Sequence, residues 1–181
     1  MSSRVVLTYR DFEALPADGR HYELHDGELS VTAAPVPDHQ HVLLELAVVL
    51  RAFVNERRLG KIFVSPIDCI LSDITVVEPD IVYLASDRLS AVSARGIEGP
   101  PTLAVEILSP STAHVDRGVK LQLYARHRVP YYWIVDLGAR AIEAYALKGE
   151  SYELAARAEG SQVASPPPFP DLRLDLSRLW A

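Results

Sequence analysis

The chain has 181 residues, of which 49% are hydrophobic and 23% charged, as expected for one globular domain with a sizeable core. Its net charge of −6 argues against a general nucleic-acid coat protein, because such a protein gains its affinity by neutralising phosphates. The single cysteine, Cys69, excludes an internal disulfide and a cysteine-based zinc site, and it indicates a reducing, cytoplasmic setting.

The first part of the chain predicts a β-hairpin followed by a long helix. Residues 20–35, RHYELHDGELSVTAAP, alternate apolar and polar side chains around Asp26-Gly27, a strong signal for a two-residue turn. Apolar residues then recur at three- and four-residue spacing through residues 38–60, which is typical of an amphipathic helix. We expect Asp38 to cap the start of this helix and Gly60 to end it.

The middle of the chain predicts strands on either side of a second helix. Residues 116–129 have helical spacing, and Pro130 ends this helix because proline disfavours a helical conformation in the residue before it. Residues 141–154 predict a further hairpin that turns at Lys148-Gly149. Single strands are expected at residues 61–72, 75–86, 101–109 and 131–137.

The order of these elements predicts one α/β domain over residues 1–181. Its mixed central sheet would be flanked by helices and extended by the N-terminal and C-terminal hairpins. The core would cover about residues 20–155, and a Pro-rich extension would follow at residues 165–181. This extension ends in DLSRLW, which would form a short helix or dock Trp180 on the body of the domain.

Glu106 stands in the apolar run TLAVEILSPS. In an extended chain its side chain shares a face with Ala104 and Leu108. An ionised carboxylate that is buried alone is costly, so it pairs with a cation, binds a metal or stays protonated. The alternative is an edge strand whose glutamate points to water, but the run is apolar on both faces, which favours a buried strand.

Two more residues could join Glu106. Asp80 follows Pro79 directly before the apolar run IVYL, so two neighbouring strands would each bring one acid to the same point. Two such carboxylates suit Mg²⁺ or Mn²⁺, which prefer oxygen ligands. Lys120 lies near the start of the next helix, from which its ammonium could stabilise developing negative charge. Considered alone, Asp80 could equally be part of a turn that leads into a strand. Lys120, considered alone, could equally be a solvent-exposed surface lysine.

The motifs around these residues resemble a known family. Pro79-Asp80, the EIL that begins at Glu106 and the helix that follows resemble the PD-(D/E)XK phosphodiesterase superfamily, which has the restriction-endonuclease fold. More specifically, the segments EILSPST, KLQLY and YYWIVD resemble the Uma family, a group of restriction-endonuclease-like proteins. The similarity covers about residues 20–155 and implies a divalent-metal-dependent nuclease with a restriction-endonuclease-like fold.

The resemblance also implies roles for individual residues. Asp80 and Glu106 would hold Mg²⁺ or Mn²⁺, with the Ile107 carbonyl as an extra ligand. The lysine of the superfamily motif is replaced by Leu108 in this chain, and Lys120 is the matching position in families of this kind. There it would orient the attacking water or stabilise the transition state.

Glu23, in YELHDGEL, matches the acid that the first hairpin contributes in this family, where it would help to place the metal or the water. From its alternation with Tyr22 and Leu24 alone, a surface position is equally compatible.

The implied substrate is nucleic acid, with DNA expected, and proteins of this fold often form homodimers that cut both strands. No apolar stretch reaches the roughly 18 residues that span a bilayer, so no membrane partner is expected.

The alternative function is a catalytically inactive binding or assembly module that keeps the fold, which the acidic net charge and Leu108 favour. A dinucleotide-binding enzyme is disfavoured, because the nine glycines form neither G-x-G-x-x-G nor a P-loop. As site residues, Asp68 is a weaker candidate than Asp80, and Glu28 is a weaker candidate than Glu23. His39 and His41 have a spacing that suits a metal site, but no third ligand is evident, so we expect them to face water at the helix start. Tyr124, one turn after Lys120, could face the same cleft, although a core aromatic is expected. The basic clusters Arg57, Arg58 and Lys61 and Arg126, His127 and Arg128 could contact phosphates, but charged residues at helix ends are usually solvated.

Overall fold

The structure is a computed structural model that describes residues 5–32, 34–110 and 113–181. Its α-helices are α1 (Tyr9–Glu13), α2 (Pro37–Glu56) and α3 (Leu121–Arg126). A π-helical segment, Val115–Lys120, leads directly into α3, and 3₁₀-helices cover Ser86–Ala91 and Leu176–Arg178. The strands are β1 (His21–His25), β2 (Glu28–Thr32), β3 (Gly60–Val64), β4 (Cys69–Ser72), β5 (Thr75–Val77), β6 (Ile81–Ala85), β7 (Val92–Ser93), β8 (Gly96–Glu98), β9 (Leu103–Ile107), β10 (Tyr131–Asp136), β11 (Ala141–Lys148), β12 (Ser151–Glu159), β13 (Val163–Ala164) and β14 (Leu174–Asp175).

The central sheet has the strand order β12-β11-β10-β9-β6-β3 and is antiparallel except for the parallel pair β9 and β10. The predicted mixed α/β architecture is therefore confirmed. Parallel strands need a crossover connection, and the π-helical segment with α3 supplies it here. Helix α2 and the C-terminal segment cover one face of the sheet, while α3 and a second sheet cover the other.

The two faces of β9 are buried in different cores. Leu103 and Val105 pack in the core beneath α2, whereas Ala104 and Leu108 pack in the core beside α3 and the second sheet. This division follows the alternation expected of a strand. Glu106 shares the face of Ala104 and Leu108 and so is directed toward α3 and the second sheet.

The second sheet has the strand order β2-β1-β5-β4-β8-β7. The C-terminal hairpin of β11 and β12 extends the central sheet as predicted, but the prediction that the N-terminal hairpin also extends it is wrong. That hairpin turns at Asp26-Gly27 as expected, with both residues at the positive φ that the turn requires. It joins the second sheet because β1 pairs with β5 through Leu24 and Val76. Local alternation predicts a hairpin but not the strand beside it.

Two predicted strands, at residues 61–72 and 75–86, each divide into two strands that belong to different sheets. The breaks fall at Pro66 and Pro79, because proline has no N–H with which to continue a strand ladder. The chain thus leaves the central sheet near Pro66 and returns to it after Pro79. Asp80 consequently enters β6 at the boundary between the two sheets.

Helix α2 starts slightly earlier and ends earlier than predicted. Pro37 occupies its first turn, where a fixed φ and a missing N–H are tolerated, so Asp38 lies inside the helix and is not its N-cap. The helix ends at Glu56, and Gly60 begins β3 instead of ending α2. A Cβ atom at Gly60 would lie 1.9 Å from the carbonyl oxygen of Leu84, so glycine is needed for this strand pairing. None of the described helices is long and apolar enough to cross a membrane.

The Pro-rich C-terminal extension packs into the core. Phe169 is 1% exposed and lies against three aromatic rings, including Trp133. The Trp133 indole Nε1 also donates to the carbonyl oxygen of Pro167 at 2.7 Å. Both predicted outcomes for the last residues occur together, since a short 3₁₀-helix forms and Trp180 docks by donating to the Gly160 carbonyl.

Arg117 holds the π-helical segment against the central sheet. Its guanidinium lies 2.6 Å from Glu143 Oε2 and 3.0 Å from Asp136 Oδ2. We expect Arg117→Met to lower the free energy of unfolding by about 1 kcal/mol, since the group is part-exposed, and the Tm by about 2–4 °C. Arg178→Met, which removes an exposed contact with Asp175 far from Glu143 in the chain, is the matched control in thermal unfolding. Equal shifts for the two variants would contradict this role of Arg117.

Candidate active site

A cavity of about 780 Å³ opens where the second sheet, the start of α2 and the π-helical segment meet. The four residues predicted for the site, Glu23, Asp80, Glu106 and Lys120, all line it. They come from β1, the entry of β6, β9 and the end of the π-helical segment. Four elements that are distant in sequence therefore bring these side chains to one place.

The Lys120 ammonium is enclosed by carboxylates. Its Nζ lies 2.9 Å from Glu23 Oε1 and 3.0 Å from Glu106 Oε1, and the residue is only 6% exposed. A longer contact of 3.6 Å joins Nζ to Asp116 Oδ1 in the same helical segment. Asp116 was not among the predicted site residues, although its position four residues before Lys120 is the spacing of neighbours on one helix face.

Glu106 is 4% exposed and is held by two residues of the same helix. Besides Lys120, the Tyr124 hydroxyl donates to Glu106 Oε1 at 2.6 Å. The Tyr124 ring packs against Tyr132 with a centroid separation of 4.9 Å, so the prediction of a core aromatic holds for the ring. The hydroxyl reaches the site residue Glu106, so Tyr124 also helps to hold the site.

Asp80 lies beside Glu106 because of the register between β6 and β9. Ile81 pairs with Val105 in this antiparallel pair, so the residue before Ile81 comes alongside the residue after Val105. The Ile107 N–H donates to Asp80 Oδ2 at 2.7 Å, and the Asp80 side chain is only 15% exposed. Within the described residues, no hydrogen-bond partner is recorded for the other oxygens, Asp80 Oδ1 and Glu106 Oε2.

The prediction that His39 faces solvent is wrong. His39 is 6% exposed, and its Nε2 lies 3.2 Å from Asp80 Oδ2. It shares the buried face of α2 with Val42 and Leu43, three and four residues later, and this spacing was the available sequence signal. Burial alone would lower the pKa of His39, but Asp80 and the Ile107 backbone raise it above its usual value. His41 is exposed, as predicted.

Glu23 is buried in the site, which excludes the surface position that alternation alone allowed. Its Oε2 lies 3.1 Å from His25 Nε2, and its Oε1 accepts the Glu78 N–H at 2.8 Å. The Glu78 carboxylate in turn lies 2.9 Å from His21 Nδ1. Glu28 is exposed and is not among the described residues that line the cavity.

Acids outnumber lysine in this buried cluster, since Glu23, Glu106 and Asp116 surround Lys120 and Asp80 lies beside Glu106. Burial and the neighbouring carboxylates raise the pKa of Glu106 well above its usual value, although Lys120 opposes them. Burial alone would lower the pKa of Lys120, but the carboxylates raise it. Burial also opposes ionisation of Glu23, yet Lys120 and His25 lower its pKa to about 2. The excess negative charge calls for a bound cation, a proton on Glu106 or a protonated His39, whose pKa Asp80 raises.

The donor set suits a hard divalent cation that keeps part of its water shell. Asp80, Glu106 and Ile107 all line the cavity, and one carboxylate oxygen of each acid has no hydrogen-bond partner among the described residues. Neither in this cavity nor elsewhere do the described residues include three or more His, Cys, Asp or Glu side chains that are arranged to hold a metal ion. Mg²⁺ is usually held by one or two carboxylates and several waters, so the residues fit Mg²⁺ or Mn²⁺ better than zinc.

The basic clusters are not part of this cavity. Among the described residues that line it, Lys120 is the only lysine or arginine. Helix α2 has 20 residues and so spans about 30 Å, with His39 at one end. The cluster at its other end comprises Arg57, Arg58 and Lys61. In the second cluster Arg126 forms an ion pair with Asp26.

Asp68 lies between β3 and β4 and is not among the described residues that line the cavity. Burial and the nearby carboxylates of Glu78 and Glu23 raise its pKa to about 6. Because the folded state then holds this proton more tightly, wild-type stability falls as the pH rises from about 4 to about 6. We expect Asp68→Asn to leave the Tm unchanged near pH 4 and to stabilise the fold by about 1 kcal/mol at pH 7.5, allowing for the exposed part of the side chain.

The measurement for Asp68 is thermal unfolding at both pH values. Asp87→Asn is the matched control, because Asp87 is an exposed acid just after β6. It should show no gain in Tm that depends on pH. An equal gain for Asp68→Asn at pH 4 and pH 7.5 would contradict the raised pKa.

Comparisons with known proteins place this geometry in context. A sequence model of the Uma2 family, described as "Putative restriction endonuclease", matches residues 9–177. No curated protein matches the chain. A crystal structure from Anabaena variabilis, described as a putative nuclease belonging to DUF820, is similar with a TM-score of 0.79 and 20% sequence identity. The match covers 96% of this chain and 97% of that chain, so the two share a fold, as the resemblance to restriction endonucleases implied.

Proposed function

Because the chain belongs to the Uma2 family of putative restriction endonucleases, we propose that it is a divalent-metal-dependent nuclease that hydrolyses phosphodiester bonds. The observation that carries the proposal is the meeting of Asp80, Glu106 and Lys120 in one largely buried cluster on the wall of a cavity. The excess of carboxylates over ammonium supports it, because a divalent cation would balance that charge. Perturbed pKa values in a cleft are also typical of functional sites.

Asp80 and Glu106 would hold the cation, together with the Ile107 carbonyl. Bound there, Mg²⁺ or Mn²⁺ would polarise the scissile phosphate and lower the pKa of an attacking water. The chain engages one oxygen of each carboxylate, and among the described residues no partner contacts the other oxygen. Burial on both faces of β9 keeps Glu106 from being displaced into solvent.

Lys120 would stabilise the negative charge that develops on the phosphate, or orient the water. Two of its N–H groups are taken by Glu23 and Glu106 at 2.9 and 3.0 Å. The third N–H of Lys120 is held less tightly, because its contact with Asp116 is longer, at 3.6 Å. This N–H is therefore the one best able to reach a phosphate oxygen. Glu23 would act through Lys120, because its carboxylate, fixed by His25, anchors the ammonium.

A catalytically inactive binding or assembly module is the second candidate. It is favoured by the closure of the network, since Lys120 and Glu106 are bound to each other and nearly inaccessible. Structural ion-pair networks also perturb pKa values, so the perturbation alone does not separate the two functions. Binding and cleavage measured on the same preparation do separate them.

Cleavage of supercoiled plasmid DNA in Mn²⁺, Mg²⁺ or EDTA tests the proposal. We expect nicked or linear product with metal, none with EDTA and none from Asp80→Asn. The control Asp87→Asn, in the 3₁₀-helix after β6, should cut like the wild type. Linear product formed without a nicked intermediate would indicate a homodimer acting on both strands. Absence of any product on DNA and RNA, single- or double-stranded, would favour the binding module.

A further inference from the structure

We propose that His39 is a positioning residue that holds the Asp80 carboxylate in the orientation that receives the divalent cation. This inference rests on the proposed metal-dependent function and adds a residue that the motif comparison did not assign. His39 comes from α2, which contributes none of the predicted site residues. The proposal therefore gives α2 a direct part in the site.

The geometry that supports this role is a pair of donors on one carboxylate oxygen. His39 Nε2 lies 3.2 Å from Asp80 Oδ2, and the Ile107 N–H reaches the same oxygen at 2.7 Å. The two donors come from α2 and β9, two elements that are distant in the chain. Together they fix the plane of the carboxyl group and leave Asp80 Oδ1 for a ligand. Groups that orient a metal-binding carboxylate in this way commonly set its affinity for the metal.

A purely structural role does not explain this histidine. Its other nitrogen, Nδ1, is the one buried side-chain nitrogen or oxygen in the described part of the chain that lacks a hydrogen-bond partner. A buried polar atom without a partner destabilises the fold, so an apolar side chain would suit this packed position better. The imidazole is therefore best explained by its contact with Asp80. Its neighbours on the buried face of α2, Val42 and Leu43, are apolar.

Direct coordination of the metal by His39 is the rival explanation, and the structure disfavours it. Nε2 is already engaged with Asp80, and Nδ1 is inaccessible. Among the described residues, His39, Asp80 and Glu106 also do not form a three-residue group able to hold a metal ion. A residue that acts through Asp80 fits both observations.

The test compares His39→Leu with His39→Gln by calorimetric titration of Mn²⁺ and by thermal unfolding. Leucine removes the donor, and we expect Mn²⁺ affinity to fall by about 10- to 100-fold while the Tm stays level or rises. Glutamine keeps an N–H donor of similar reach, so we expect its Mn²⁺ affinity to lie within about threefold of the wild type. His41→Leu, an exposed change two residues later, is the matched control and should bind as the wild type does.

Each outcome decides between the explanations. Wild-type Mn²⁺ affinity in His39→Leu would overturn the positioning role while leaving the proposed nuclease intact. Equal losses in His39→Leu and His39→Gln, or nitrogen couplings from His39 in the electron spin-echo spectrum of bound Mn²⁺, would show direct ligation and overturn it too. No Mn²⁺ binding by the wild type would refute the metal-dependent function itself. If His39→Leu does not fold, His39→Gln alone decides, because it keeps the N–H donor. Weakened Mn²⁺ binding by His39→Gln at an unchanged Tm would then overturn the positioning role.

Discussion

Glu106→Gln is expected to abolish Mn²⁺ binding and nucleic-acid cleavage without destabilising the fold. Glutamine keeps an oxygen that can accept from Lys120 and Tyr124, as Glu106 Oε1 does. It removes the charge that burial and the neighbouring acids oppose. We expect cleavage to fall by roughly 100-fold or more, because a neutral amide is a poor ligand for a hard cation.

The stability effect of Glu106→Gln has a definite sign. The pKa of Glu106 is raised in the folded state, so ionising it costs stability as the pH rises above its unfolded value. The variant should therefore match the wild type at pH 4 and equal or exceed its Tm at pH 8. Glu159→Gln, at the exposed end of β12, is the matched control and should keep metal binding and cleavage. Full cleavage by Glu106→Gln would contradict the assigned role.

Lys120→Met should have the largest effect on stability. The change leaves Glu23, Glu106 and Asp116 buried together without their shared cation. Removing one partner of a buried ion pair typically costs about 3–5 kcal/mol, and we expect a loss of this size in urea or thermal unfolding. Lys61→Met removes an exposed lysine from β3 and should change the free energy of unfolding by less than about 0.5 kcal/mol.

The loss in Lys120→Met should depend on pH and on metal. Without the ammonium, the pKa of Glu106 rises further, so the variant should become less stable as the pH increases and recover partly in acid. Mn²⁺ should raise the Tm of Lys120→Met more than that of the wild type, because the ion would replace the missing positive charge. A small loss that is independent of pH would show that Lys120 is not the counter-ion of these acids.

The meeting of Asp80, Glu106 and Lys120 could be predicted from the sequence because each of these residues stands out locally. Glu106 is conspicuous as an acid in an apolar strand, and Lys120 was identified by its place at the start of the next helix. Asp80 follows a proline that marks a strand entry. These signals need no knowledge of which elements are neighbours, and the structure brings all three residues to the same cavity.

The features that could not be predicted depend on long-range contacts, which local sequence patterns do not specify. His39 was assigned to solvent because a histidine near a helix start is usually hydrated, and only the packing of α2 shows its contact with Asp80. The N-terminal hairpin was assigned to the wrong sheet because alternation is the same in either sheet. Pro66 and Pro79 were visible in the sequence, but the change of sheet at each of them was not. The C-terminal extension likewise owes its place in the core to Phe169.

The central claim is that Asp80 and Glu106 meet in order to bind a divalent cation. Crystals soaked in Mn²⁺ and measured for anomalous scattering test it most directly. The account predicts one peak per chain at about 2.1 Å from a carboxylate oxygen of each residue, with Lys120 still bound to Glu23. A site that stays without a peak at saturating Mn²⁺ would contradict it.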